Sequence, residues 1–289
     1  MKRWKTTWND IGLGLCLLGL ALGSGCGPTS LIPGTDTDVD QRVEESWAGQ
    51  TLQLDYPTGG SDHFTFLFVS DIHLRPDEGD WMDELDAYAQ NANAAFILAG
   101  GDESDSGLPK EFHLYLNRTQ GFYAFMYPAI GNHDLYNNGW DHYKKLLGPA
   151  AYSFSYGNSF FLFLDSAQAT LGREQLNWVE RKLSGVKERH KFVVSHFPIY
   201  DGTAQTPAIM GTPEERYKLI YLFDKYGVEY YLSGHKHSGE IYQIRDCWYI
   251  IAGAGSTYKT IYGDKPHFWR FEVDGGRIHR RKIYFKDLE

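Results

Sequence analysis

From residue 62 onward, short apolar runs alternate with segments of helical period. The runs "FTFLFVS" (64–70), "AAFILAG" (94–100), "AFMYPAI" (124–130), "FFLFLD" (160–165), "KFVVSHF" (191–197) and "VEYYLSGH" (228–235) are nearly continuous and rich in Phe, Val, Ile and Tyr. That is the pattern of strands buried on both faces. Between several of them, "DEGDWMDELDAYAQNA", "PKEFHLYLNRTQ", "GWDHYKKLLG", "REQLNWVERKL" and "TPEERYKLIYLFDKYG" read as helices. Pro109 and Pro213 fall near helix starts and Gly227 follows a helix end, as backbone geometry favours. After residue 235 the helical period stops, and "GEIYQIRD", "CWYIIAGAG", "HFWRFEVDG" and "RIHRRKIYF" read as successive antiparallel strands. The alternation predicts α/β architecture with mixed sheets.

The N-terminal pattern differs. A basic start (Lys2, Arg3, Lys5), an apolar segment from Ile11 to Leu22 and the small residues "GSGC" ending at Cys26 have the layout of an export signal. The apolar segment is short of the about 20 residues that a membrane span takes. Its end resembles the lipobox of bacterial lipoproteins, with Gly23 where leucine is usual and Leu22 just upstream; ordinary secretory cleavage nearby is the alternative. This predicts a signal peptide over 1–25, export to the bacterial cell envelope, and anchoring to the membrane through a lipidated Cys26. Residues 26–60, rich in Gly, Pro, Thr, Ser and Asp, read as a flexible tether, although "SWAGQTLQLDY" within them has the apolar content to pack on the domain. The folded domain is then 61–289. Cys16 falls in the discarded segment, Cys26 is acylated and Cys247 is left alone in a strand, so no internal disulfide is expected and Cys247 reads as a small buried hydrophobe.

At 289 residues, 42% apolar and 16% aromatic, the chain can bury one sizeable core. Its formal charge is −9, and the part after the basic leader is more acidic still. No nucleic-acid-binding surface is expected, because a phosphate backbone needs a basic one. A small phosphate ester is a different matter, provided that bound metal supplies the positive charge.

Candidate chemistry gathers where the strands end. The first ends "VSDIHL", the second "LAGGDESD", the third "AIGNHD", a later one "VVSHFPIY" and the last before the meander "LSGHKHSGE". Each places Asp, His or Asn where a buried strand gives way to a loop, and ligands in open α/β sheets sit at the carboxyl ends of strands. Imidazole, carboxylate and amide oxygen suit zinc, iron or manganese. Asp71 with His73 and His235 with His237 are spaced by two, which in extended backbone puts both members of a pair on one side. Asp102, after two glycines that let backbone pass close to the ions, is the candidate carboxylate to bridge two of them.

In that order, "DIH", "GGD", "GNHD", "SHFP" and "GHKH" resemble the calcineurin-like metallophosphoesterase superfamily, over about residues 62 to 285. The resemblance implies a four-layer α/β/β/α sandwich with the metal site at the carboxyl ends of the strands. It implies two divalent or trivalent ions (Mn, Fe or Zn), one held by Asp71, His73, Asp102 and His237, the other by Asp102, Asn132, His196 and His235. His133 would be the general acid, with Asp134 placed to orient it. The implied reaction is hydrolysis of a phosphomonoester or phosphodiester by in-line attack of a metal-bridging hydroxide. Of the eleven histidines, five then belong to the site and His63, His113, His142, His190, His267 and His279 are ordinary.

Other readings weigh against this one. Asp105 stands where purple acid phosphatases carry tyrosine, which argues against a tyrosinate-bound ferric ion; it reads as fixing the turn or as supporting a ligand histidine. Ser106 and Asp134 replace the arginine and glutamate of the protein serine/threonine phosphatases, which disfavours a phosphoprotein substrate. Ser195 beside His196 suggests a serine hydrolase only weakly, since neighbours on a strand face opposite ways and no "GxSxG" is present. Specificity is expected in loops 135–145 and 199–212, where Tyr136, Trp140, Tyr143 and Tyr200 either line a pocket or pack the loops onto the domain. From a different class, the chain could be a non-catalytic surface lipoprotein that binds a phosphorylated ligand or partner on the same scaffold.

Overall fold

A computed structural model describes residues 37–76, 80–200, 209–255 and 264–285. Two sheets lie face to face. The first has the order β11-β10-β1-β2-β3, from β1 (His63–Val69), β2 (Ala94–Ala99), β3 (Met126–Pro128), β10 (His267–Asp274) and β11 (Arg277–Tyr284). The second has the order β4-β5-β6-β7-β9-β8, from β4 (Tyr152–Tyr156), β5 (Ser159–Phe163), β6 (His190–Val194), β7 (Tyr230–Ser233), β8 (Ile241–Ile244) and β9 (Cys247–Ile251). β1, β2 and β3 run parallel, as do β5, β6, β7 and β9, so their carboxyl ends share one edge of the molecule.

Aromatic side chains make the layer between the sheets. The Phe66 ring stands 5.6, 5.2, 5.0 and 4.8 Å from those of Phe96, Phe161, Phe192 and Phe271, all five fully buried. Each such burial stabilises by about 1.5–3 kcal/mol, which explains why the central strands read as continuous apolar runs. Outside the first sheet pack α2 (Asp80–Asn91), α3 (Pro109–Thr119) and α4 (Trp140–Leu146), and outside the second α5 (Gly172–Gly185) and α6 (Pro213–Tyr226). The expected four-layer sandwich is thus observed. Pro109 and Pro213 open α3 and α6, and Gly227 closes α6 at φ +66°.

Two expectations are corrected, and one strand is added. The stretch read as a tether contains α1 (Val39–Trp47), opened by Asp38, whose carboxylate accepts the N–H of Gln41 at 2.8 Å. Val39 and Val43 then enter the core over α5, and fully buried Arg42 forms a two-pronged ion pair with Asp165 at 2.8 and 3.1 Å. The composition signalled a linker, but a capped helix with an apolar i, i+4 pair overrides it. The C-terminal strands are not one meander: β8 and β9 form a hairpin on the second sheet, while β10 and β11 cross to the first, where β10 lies antiparallel to β1. Finally, β4 ("YSFSY") was missed because its polar alternation marks an edge strand, not a fully buried one. Residues 1–36, with the expected signal and Cys26, lie outside the described residues. Among the described residues, no helix is long and apolar enough to cross a membrane. Cys247 is buried, which pushes its thiol up to about 12.

Candidate metal centre

All five strand-end segments converge. Asp71 and His73 follow β1, Asp102 follows β2, Asn132 and His133 follow β3, His196 follows β6, and His235 and His237 follow β7. The seven candidate ligands form one connected ring. His237 Nε2 lies 3.0 Å from Asp71 Oδ1, His73 Nε2 lies 3.4 Å from Asp102 Oδ2, and that same oxygen is 3.3 Å from His196 Nε2. Asn132 Oδ1 is 3.0 Å from His196 Nε2 and 2.9 Å from His235 Nδ1. The peptide N–H of His235 meets Asp71 Oδ1 at 2.9 Å, and the rings of His73 and His237, 5.5 Å apart, close the circle. Asp71, His73, Asp102 and His196 have at most 1% of their surface exposed.

The backbone reaches this arrangement in a way the sequence did not disclose. Asp71, His73, Asp102, His235 and His237 have φ of 54°, 41°, 58°, 67° and 57°. Pairs spaced by two do converge, but from left-handed turns after the strands and not from extended backbone. L-residues pay roughly 1–2 kcal/mol each for that region, and such conformations gather at functional sites that the surrounding fold enforces. The turns at Asp71 and His73 are enforced by backbone hydrogen bonds between loops: their N–H groups donate to the carbonyls of Gly101 and Asp102, at 3.0 and 2.9 Å. Gly101, at φ +98°, must lack a side chain, since a Cβ there would meet His196 Nδ1 at 2.6 Å.

Supporting contacts aim the donor atoms inward. His196 Nδ1 faces the Gly100 carbonyl across the two sheets at 2.9 Å, which leaves Nε2 for the centre. Asn132 Nδ2 donates to the Tyr136 hydroxyl at 3.3 Å, so its oxygen turns toward the histidines. The Phe197 ring stacks on that of His235 at 3.8 Å.

Electrostatics favour a cation here. Burial opposes the charge of Asp102, but His196, His133 and His73 outweigh it and hold the carboxyl well below its usual range. Burial likewise opposes a charged His196, and the carboxylates of Asp102 and Asp71 outweigh it, lifting that imidazole to about 9. His235, in contrast, is pushed down to about 3 by burial and by its neighbour His196. A negative pocket that retains a proton on one histidine also attracts a metal ion. Both ring nitrogens of His73 are buried with long contacts of 3.4 Å to the carboxylates of Asp105 and Asp102, a poorly satisfied state that a ligated ion relieves. Donor atoms of Asp71, His73 and His237 lie within 4.8 Å of one another, as do those of Asp71, Asp102 and His196. The donor set and spacing therefore fit two neighbouring transition-metal ions.

Several expected roles change. Asp134 does not touch the His133 imidazole. Its buried carboxylate accepts the N–H groups of Asp102 (3.0 Å), Gly131 (2.9 Å) and Ser104 (2.9 Å) and the Ser104 hydroxyl (2.8 Å). Those inward-pointing donors need an acceptor, and the carboxylate is drawn beneath the loop to supply it. His133 is half-buried and instead engages the Asp105 carbonyl through Nδ1 at 2.7 Å. Trp140 and Tyr143 are buried in the layer under α4 and line no pocket, whereas Tyr200 is exposed. Most of loop 199–212 lies outside the described residues. Ser195 bonds through its hydroxyl to that of Ser166 at 2.7 Å, turned from the His196 ring. Sequence reasoning missed Ser166, which also accepts the N–H groups of Phe197 (2.8 Å) and His196 (3.2 Å); a lone serine after a strand gives no signal of this. It also missed Glu103, a fully buried carboxyl raised well above its usual value by burial and then by Asp134.

Comparison with known proteins agrees with the geometry. Tartrate-resistant acid phosphatase type 5 of Oryctolagus cuniculus is 34% identical over 87 residues, 30% of this chain and 26% of that protein. The Homo sapiens protein of the same name is 30% identical over 114 residues, 39% of this chain and 29% of that one. The matches thus span less than a third of these relatives' lengths. Among solved structures, a dimetal phosphatase from Danio rerio superposes with a TM-score of 0.56 at 13% identity, over 77% of this chain and 99% of that one. GAP50, the anchor in the inner membrane complex of Plasmodium, gives 0.62 at 18% identity, over 78% and 86%. At such identities the likeness is one of fold. Residues 64–239, from β1 through the last pair of candidate ligands, match the calcineurin-like phosphoesterase family. The chain belongs to the calcineurin-like phosphoesterase family.

Proposed function

We propose that this protein hydrolyses a small phosphate ester, mono- or diester, using two transition-metal ions. Asp71, His73, His237 and Asp102 would hold one ion and Asp102, Asn132, His196 and His235 the other. When bound, the pair would supply Lewis acidity that activates water near neutral pH and neutralises phosphate oxygens. The chain's own residues do the rest. Asp102 is the shared carboxylate, its loop pinned by Asp134. His133, at the half-buried margin with Nδ1 on the Asp105 carbonyl, keeps Nε2 to protonate the leaving oxygen. The Ser195 hydroxyl is committed to Ser166, so the chain offers no serine nucleophile there and water is the attacking group.

The observation that carries this reading is the convergence of five separate strand ends on one largely buried ring of Asp, His and Asn, with both nitrogens of His73 buried on long 3.4 Å contacts. The sequence supports two further parts of the proposal: export with anchoring through a lipidated Cys26, and a substrate other than phosphoprotein.

GAP50 carries this fold and is described as an anchor, so fold alone does not decide between catalysis and binding. Purified protein should be assayed with manganese, zinc or iron on chromogenic phosphomonoesters and phosphodiesters. Saturable hydrolysis lost in His133→Ala and on chelation supports the enzyme. Full metal occupancy with no turnover on a broad phosphoester panel supports a binding module instead.

A further inference from the structure

Asp105 touches two imidazoles of different purpose with two different groups. Its carboxylate Oδ1 lies 3.4 Å from Nδ1 of His73, while its main-chain carbonyl is 2.7 Å from Nδ1 of His133. Its other carboxylate oxygen accepts a hydrogen bond from Arg75 Nη2 at 3.1 Å. The far nitrogen of His73, Nε2, faces the shared carboxylate of Asp102 at 3.4 Å. Arg75, Asp105, His73 and Asp102 therefore form a chain from a partly exposed guanidinium to the middle of the centre, the side-chain exposure falling from 30% at Arg75 through 23% at Asp105 to 0% at His73.

A neutral imidazole has one N–H and one lone pair, and only the lone pair can take a cation. Carboxylates flank both nitrogens at 3.4 Å, but the Asp102 oxygen is shared with His196 Nε2 at 3.3 Å, so the proton is drawn to Nδ1 beside Asp105 and the lone pair of Nε2 turns toward Asp102. We propose that Asp105, clamped by Arg75, is a positioning residue that sets His73 in the Nδ1–H form, with Nε2 as its ligating atom. Through its carbonyl, Asp105 also ties this ligand to the placement of His133. The inference rests on the two-ion reading of the site. Donor atoms of His73, Asp105 and His133 also lie within 4.8 Å of one another, so direct ligation by Asp105 is the competing role. Two contacts oppose it: a guanidinium already sits on the carboxylate, and Nδ1 of His133 is already engaged by the carbonyl.

The test uses protein labelled with 15N-histidine, first free of metal and then titrated with zinc. In the metal-free protein, long-range imidazole spectra should show His73 as the Nδ1–H form, and in Asp105→Ala as a mixture of the two forms. Zinc should bind to the same final stoichiometry in both proteins, with affinity about 10–100-fold weaker in the variant, the usual cost of removing such support. If Asp105→Ala does not fold, Arg75→Ala leaves the carboxylate in place but unclamped, and should shift the forms of His73 and the zinc affinity in the same direction by less. An unchanged His73 spectrum in the folded variants overturns the proposal, and so does loss of one whole ion, which would make Asp105 a ligand. Wild-type protein that shows the Nδ1–H form yet takes up no zinc would refute the two-ion reading, while the metal-free spectrum would still support the tautomer assignment.

Discussion

Asp134 accepts the peptide N–H of Asp102 at 3.0 Å although the two lie 32 residues apart, and its carboxylate also takes those of Gly131 and Ser104. The last residue of "GNHD" thus fastens the loop that carries the shared candidate ligand to the loop that carries His133. In Asp134→Ala three peptide donors and a hydroxyl lose their acceptor, each at about 1–3 kcal/mol when left buried and unmade. A fall in stability of more than about 3 kcal/mol is expected, read as a lower urea midpoint, together with weaker metal uptake. Wild-type stability in that variant would show that the carboxylate is not the fastening.

Gly131 is required by closeness. A Cβ there would lie 2.1 Å from Asp102 Oδ1 and 2.3 Å from Asp102 N, and the peptide nitrogen cannot swing aside. Gly131→Ala should keep the far-ultraviolet spectrum of the fold but cut phosphoester turnover by about 100-fold or more, the usual effect of displacing a reacting centre by about 1 Å.

Arg42 makes α1 part of the domain. Its guanidinium pairs with Asp165 and also reaches the carbonyl of Thr37 and the side chain of Gln168. Arg42→Met leaves Asp165 as an uncompensated buried charge and should cost about 3–5 kcal/mol in denaturant unfolding. The double variant Arg42→Met/Asp165→Leu should recover most of that loss. If Arg42→Met alone is neutral, α1 does not contribute to stability through this pair.

His267 predicts a pH dependence. It is fully buried, its Nε2 accepts the Gly253 N–H at 3.0 Å, and burial pushes it down to about 4. The unfolded chain, with histidine near its ordinary 6.5, binds the proton first. Stability from the neutral ring is therefore complete above about pH 6.5, declines as pH falls toward 4, and levels off below, a total on the order of 3 kcal/mol. In His267→Gln the slope of unfolding free energy against pH should flatten in that window, measured on metal-free protein.

What the sequence disclosed follows from what each signal encodes. Buried parallel strands leave continuous apolar runs, so "FTFLFVS" and "KFVVSHF" were legible, and the Asp, His and Asn at strand ends are side chains that the fold brings together. Backbone handedness leaves no such trace. The left-handed turns at Asp71, His73 and His235 are held by hydrogen bonds between loops far apart in sequence. The direction of a side chain is equally hidden: Asp134 turns toward orphaned peptide donors, a demand set by the loop above it and not by its neighbour His133. For α1, linker-like composition around it masked a short amphipathic pattern whose partner, Asp165, lies 123 residues away.

Anomalous diffraction from crystals grown with manganese tests the central claim most directly. Two peaks within about 4 Å of each other are expected, one bounded by Asp71, His73 and His237, the other by Asn132, His196 and His235, with Asp102 touching both. A single peak, or none within this ring of side chains, would contradict a two-ion centre.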